Sequence, residues 1–251
     1  VSNIFRIRME YITFCIPYYG KELVHTELLR RSIESIRLYY PTNPILVCKT
    51  SDSHLPEDLS GVEVYSTFVD GSHIYGAIEL LTRVCKTKHF LICHDSMFLM
   101  KPLPDSVLHK PLYPLWHFNE YNCYFHDTYI QSLTTAILID NKEIFLQKFT
   151  ESKEWNGIFG PAFGGTLETL KILWKILNIQ KETIGPYLGR TGLMGAERLI
   201  AIVCIYMGLD TKESLNGNIY KHPNVFNVDV DIPDLSTVNY DSYFLKVWRK
   251  R

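Results

Sequence analysis

Short apolar runs and amphipathic helical segments alternate through the first hundred residues, and that alternation limits the fold more than any other feature. Tyr11 to Ile16 is rich in β-forming residues and is closed by Pro17 and Gly20. Leu29, Ile33, Ile36 and Tyr40 then recur at i, i+4, i+7 and i+11, one face of a helix that Pro41 and Pro44 end. Ile45 to Cys48 reads as a second strand, followed by a polar turn from Thr50 to His54. Val62 to Val69 is a third strand. Asp70-Gly71-Ser72 opens a helix with Ala77, Leu80, Leu81 and Val84 on one face, and His89 to Cys93 is a fourth strand.

This βαβ order predicts the α/β class: a mostly parallel central sheet, Rossmann-like, flanked by helices and joined by right-handed crossovers. Ligands of such sheets bind beyond the carboxyl ends of the strands. Those ends are Pro17-Tyr18-Tyr19, Ser51-Asp52, Asp70-Gly71-Ser72-His73 and His94-Asp95-Ser96. Three of the four carry an aspartate, which is costly at a buried edge without a polar ligand or a cation.

The second half differs in texture. Thr134 to Asp140 reads as a further strand, with a helix around Lys142 to Phe149. The run Trp155 to Gly165 is rich in glycine and aromatics. Leu170, Leu173, Trp174 and Leu177 share one helical face, and Leu199, Ile202, Val203 and Tyr206 another. The tail from Asn216 on, with Asp229, Asp231 and Asp234, reads as a covering segment. No repeat, low-complexity tract or long linker interrupts the chain, so residues 1–251 are expected to form one domain.

Composition narrows the function classes. Hydrophobic residues make up 46% and charged residues 21%, values that favour a globular chain over a disordered one. Lys+Arg number 26 against 27 for Asp+Glu, a formal net charge of −1, so the basic excess of a general nucleic-acid binder is missing. No apolar run approaches the ~20 residues that span a bilayer. The first eight residues lack the apolar core of a signal peptide. A cytoplasmic location is expected, with an anchor or leader upstream of Val1 left open. Cys15, Cys48, Cys85, Cys93, Cys123 and Cys204 form no C-x-x-C, and most sit in apolar runs, which favours buried free thiols.

The sharpest local signal is Phe90-Leu91-Ile92-Cys93-His94-Asp95-Ser96-Met97-Phe98-Leu99-Met100-Lys101-Pro102-Leu103: an apolar strand, a polar break, a second apolar run, then Lys-Pro-Leu. Here the chain resembles nucleotide-sugar-dependent glycosyltransferases of the GT-A fold, whose central strand runs into a D-x-D motif. In that family the motif touches the ribose and holds a divalent cation on the diphosphate. The corresponding slot is His94-Asp95-Ser96, in which the middle position alone is acidic. The hard cations Mn²⁺ and Mg²⁺ prefer carboxylate oxygens, and His suits softer metals, so Asp95 is the principal expected ligand. His222, in Tyr220-Lys221-His222-Pro223, is a second candidate ligand by resemblance. Arg190 and Lys221 are cations able to offset diphosphate charge if metal is absent.

The resemblance covers most of residues 11–140 in order and spacing. It implies a nucleotide-sugar-binding half over about residues 9–110, with Pro17, Tyr18, Tyr19, Asp52, Asp70, Ser72, His73, His94, Asp95 and Ser96 facing a UDP- or GDP-sugar. The half from about 111 to 251 would bind a glycan or other hydroxyl acceptor through Trp155, Phe159, Phe163, Gly164 and Gly165. Gly195-Ala196-Glu197-Arg198 resembles the acidic position from which inverting members present a base, making Glu197, with Asp95 of the motif, the expected catalytic carboxylate; the alternatives are Asp127, Asp140 and Glu168, or a retaining enzyme that needs no such base. The resemblance thus implies a hexosyl- or pentosyltransferase. No dinucleotide fingerprint, P-loop, G-x-S-x-G or H-E-x-x-H occurs. A nucleotidyltransferase is the nearest enzymatic rival, and a degenerate GT-A-like domain that binds a sugar or a protein without turnover is the non-enzymatic one.

Overall fold

The structure is a computed structural model and describes residues 12–67, 73–119, 137–151, 155–179, 189–221, 225–227 and 241–248. The first strand, expected over Tyr11 to Ile16, spans Ile12–Tyr18 (β1) and leads into helix α1 (Leu23–Tyr39), followed by β2 (Ile45–Lys49) and β3 (Glu63–Ser66). Helix α2 (His73–Val84) then precedes β4 (His89–Ile92) and β5 (Met97–Leu99). Further on lie β6 (Leu112–Pro114), β7 (His117–Asn119), helix α3 (Lys142–Glu151), β8 (Asn156–Ile158) and β9 (Phe163–Thr166). Helices α4 (Leu167–Leu177) and α5 (Gly189–Tyr206) follow, then β10 (Val225–Asn227) and β11 (Phe244–Trp248).

A six-stranded sheet runs in the order β3-β2-β1-β4-β9-β6. The pairs β1/β2, β1/β4 and β2/β3 are parallel, whereas β4/β9 and β6/β9 are antiparallel. This is the mostly parallel α/β sheet that the alternation predicts. Side chains divide by the two-residue period of a strand. Phe14, Ile16, Val47 and Leu91 join Leu29, Ile33 and Ile36 of α1 on one face. Cys15, Leu46, Phe90 and Ile92 join Ile78, Leu81, Leu170, Leu173 and Leu199 of α2, α4 and α5 on the other. Both faces are thus covered, which is why these strands read as continuous apolar runs.

Four sequence expectations are corrected. The third strand spans only Glu63–Ser66, and as an edge strand it is largely exposed; the rest of Val62 to Val69 is either outside any strand or outside the described residues. Ile137 to Ile139 form no strand, and Thr134 to Ala136 lie outside the described residues. Ile137 is buried and the Leu138 N–H donates to the Ile176 carbonyl, so the segment packs on α4. The sheet position beside β4 belongs instead to β9, from the glycine-rich run. The tail is not only a cover: β11 pairs parallel with β10 and antiparallel with β5, forming a second, three-stranded sheet.

Pro17 lies inside β1, not after it. Pairing of β1 with β2 continues to Tyr18↔Lys49, whereas pairing with β4 stops at Cys15↔Ile92. Successive residues of a strand point their N–H groups to opposite neighbours. Phe14 N–H is directed to the β2 side, where it bonds the Pro44 carbonyl, so residue 17 is directed toward β4. An imino acid there has no donor to offer and leaves no ladder bond unmade. Beyond Cys15 the two strands part. Because β1 is followed in chain order by β2 on one side and flanked by β4 on the other, this parting is the topological switch point of the sheet.

Candidate functional site

The loop His94-Asp95-Ser96 leaves β4 at that switch point. Asp95 is 3% and Ser96 6% exposed, so the polar break in the sequence is a buried one. Helix α1 holds it from below: Ser32 Oγ donates to the Met97 carbonyl at 2.9 Å, and the Leu99 N–H donates to Ser35 Oγ at 2.9 Å. Two buried serines on an otherwise apolar helical face thereby satisfy backbone groups of the turn and of β5.

Glu197 arrives from α5. Its Oε1 accepts the Gly160 N–H at 2.8 Å, and its Oε2 is 3.7 Å from Arg198 Nη1. The side chain is 17% exposed. Burial pushes its carboxyl up to about 7, against opposing pulls from the Gly160 N–H, Arg198 and Lys246. Helix α5 begins at Gly189, so Glu197 stands two turns inside it and not at its start. The positive end of the helix dipole, which acts within the first turn, is therefore out of reach of this carboxylate. A carboxyl poised near 7 exchanges protons readily at neutral pH, as a general base must.

Gly160 ties Glu197 to the motif. Its N–H serves Glu197 and its carbonyl accepts a hydrogen bond from His94 Nε2. The turn Phe159-Gly160-Pro161-Ala162 is closed by the Ala162 N–H on the Phe159 carbonyl at 3.1 Å. Gly160 has φ +61°, and a Cβ there would stand 2.8 Å from His94 Cε1. Gly160→Ala is expected to lower stability by about 1–2 kcal/mol through the left-handed backbone alone and also to displace His94. Thermal melting with assay of donor breakdown checks this; a variant with wild-type turnover would show that the His94–Gly160–Glu197 link is dispensable.

Sequence reasoning missed Lys246. It lies in β11 beside β5, in register with Met97, and is 7% exposed. Its Nζ donates to Ser96 Oγ at 2.6 Å. Its charge is felt by Glu197 and, together with that of Asp95, by the Cys93 thiol. The signal was there: Phe244-Leu245-Lys246-Val247 sets a lone cation in an apolar strand, which needs a buried counterpart. Arg198 is likewise buried, donating to the Met194 carbonyl at 2.6 Å and lying over the Phe118 ring.

The other expected residues divide clearly. Pro17, Tyr19 and Asp52 lie at or beyond the carboxyl ends of β1 and β2, on the side of the sheet where Asp95 follows β4. Asp52 is exposed, and the ammonium of Lys21 at 2.5 Å holds its carboxyl below the usual range. Tyr18 is fully buried and its hydroxyl donates to the His54 carbonyl at 2.7 Å, so it supports the loop from inside the core. Among the acceptor candidates, Phe163 is buried edge-on against Phe90, and Trp155 packs on Phe149 and donates its indole N–H to the Phe149 carbonyl. Phe159 is also buried. Gly164 and Gly165 are strand residues crowded by Tyr113 and Pro111. All five are buried in this structure. Asp140 is exposed, and Glu168 sits in the first turn of α4. Asp70, Ser72, Asp127 and His222, and the side chains of His73 and Arg190, lie outside the described residues.

Among the described residues no group of three or more His, Cys, Asp or Glu side chains is placed to hold a metal ion. Around Asp95, the His94 ring bonds the Gly160 carbonyl and Ser96 bonds an ammonium. Among the described residues, one carboxylate beside a lysine-bound serine falls short of the oxygen-rich cage of a divalent cation, and the second expected ligand, His222, lies outside them. Cys15, Cys48, Cys85, Cys93 and Cys204 are free thiols, and burial pushes Cys48 and Cys93 up to about 12, which makes them inert packing. No described helix is long and apolar enough to cross a membrane.

No protein-family model matches the chain, and no curated protein matches it in sequence. Among solved structures it is similar to the galactosyltransferase LgtC in complex with donor and acceptor sugar analogues, at 11% identity over 74% of this chain and 70% of that one, with a TM-score of 0.41. An active-site mutant of LgtC gives the same identity and TM-score, with 69% of its own chain covered.

Proposed function

We propose that this protein is a glycosyltransferase that moves a sugar from a nucleoside-diphosphate sugar to a hydroxyl acceptor, with Glu197 as base. The observation that carries this reading is the link from His94, the chain neighbour of Asp95 at the switch point of the sheet, through Gly160 to Glu197. A buried carboxylate at the end of β4 suits a donor ribose hydroxyl, and a second one poised near neutrality suits an acceptor hydroxyl. In the transfer, the acceptor O–H proton passes to the Glu197 carboxylate as the acceptor oxygen bonds the anomeric carbon. The bond from that carbon to the diphosphate oxygen breaks, and the diphosphate leaves with the electron pair. The Gly160 N–H fixes the base by one oxygen, leaving its aim unchanged as the proton arrives.

Donor breakdown is the direct test. UDP- and GDP-sugars incubated with the protein should release UDP or GDP slowly even without acceptor. A protein that leaves every donor intact is a binding domain. Asp95→Asn should weaken binding of the preferred nucleotide by roughly tenfold or more, the worth of a charge-assisted hydrogen bond. Equal calorimetric affinities for wild type and variant would remove Asp95 from the donor site.

A further inference from the structure

A buried ammonium sits where this reading needs a positive charge. Lys246 lies between Leu245 and Val247, both essentially unexposed, on a strand whose neighbour β5 follows directly from the His94-Asp95-Ser96 turn. Taking an ammonium out of water costs several kcal/mol unless opposite charge and hydrogen bonds answer it. The surroundings supply both: Ser96 Oγ accepts at 2.6 Å, the Glu197 carboxyl feels the Lys246 charge, and Asp95, next to Ser96, acts with Lys246 on the Cys93 thiol. A divalent cation at this turn would share it with the ammonium held on Ser96, and like charges repel strongly in poorly hydrated surroundings.

Resting on the glycosyltransferase reading, we infer that Lys246 takes the role of the divalent cation: its ammonium binds the donor diphosphate and stabilises that group as it leaves. The charge that develops on the leaving oxygen is met by a fixed cation already in place, which needs no reorganisation at the moment of bond breaking. Lysine serves phosphate as a point charge, so its short tether to Ser96 gives it the direction that the side chain alone lacks. Donor binding then requires no metal, and the enzyme works in the presence of a chelator.

Calorimetric titration of UDP, GDP, uridine and guanosine into the full chain, in EDTA and in Mn²⁺, tests this. The preferred diphosphate should bind wild type equally well in both. Lys246→Met should weaken diphosphate binding by roughly 10- to 100-fold, the worth of one charge-assisted contact, and leave nucleoside affinity unchanged. Lys246→Arg should restore most of the loss. Wild-type binding that disappears in EDTA overturns the inference, whatever becomes of the variants, and leaves the glycosyltransferase reading standing. So does a folded Lys246→Met protein with undiminished diphosphate affinity. Folded wild type that binds neither diphosphate, with or without Mn²⁺, overturns both.

Discussion

Glu197→Gln should keep the fold and the nucleotide affinity while turnover to acceptor falls by ~10²- to 10⁴-fold, the usual contribution of a general base. The amide oxygen still accepts the Gly160 N–H, so the turn that also anchors His94 is preserved. Proton uptake is lost, together with the carboxylate charge beside Arg198. Wild-type turnover should rise with pH through about 7, the value at which this carboxyl ionises, and the variant's residual rate should not. Stability runs the opposite way. Raised from 4.5 to about 7 in the folded protein, the group holds its proton more tightly folded than unfolded. Its stabilisation is complete below pH 4.5 and is lost as pH rises through 7, to the extent of about 3 kcal/mol. Glutamine carries no such dependence, so the variant's urea midpoint should gain on wild type between pH 5 and 8. A variant that melts early yet turns over normally per folded molecule would make Glu197 a structural residue.

Gly165→Ala should be among the most destabilising single-methyl changes in the chain, at about 3 kcal/mol, the upper end for overpacking. The added Cβ would lie 2.3 Å from the Pro111 carbonyl oxygen and 3.0 Å from Leu112 Cα. Both are backbone atoms of the neighbouring strand and its approach, so no rotamer change relieves the contact. β6 and β9 must separate, and β9 also pairs with β4, whose end carries the motif. Gly208→Ala is the control: φ is +73° with nothing within 4 Å, so it should cost only the left-handed backbone, about 1–2 kcal/mol. Urea unfolding of the two variants separates crowding from conformation, and equal losses would refute the steric account.

The inner parallel strands β1, β2 and β4 were legible because both of their faces are covered, so each is an apolar run between punctuating turns, whereas the exposed edge strand β3 was misjudged in length. The motif was legible for the same reason: Asp95 interrupts two such runs. What escaped were pairings made across long stretches of chain. Phe163-Gly164-Gly165-Thr166 has too few side chains to display a strand period, and glycine there reports close strand packing as easily as an open loop. Lys246 reaches Ser96 across 150 positions, a contact that no local pattern announces. The start of α5 was placed too late because Gly195 reads as a boundary, whereas the helix runs through it.

Pro17 gives the parting of β1 and β4 a consequence for ligand entry. The crevice is open by covalent structure, since the residue facing β4 has no N–H with which to close it. If the proposed nucleotide site lies there, its ligand would have no β1–β4 hydrogen bond to break. On the glycosyltransferase reading, nucleotide association should then carry no cost for parting β1 from β4, and stopped-flow binding should show a single step whose rate rises linearly with nucleotide concentration.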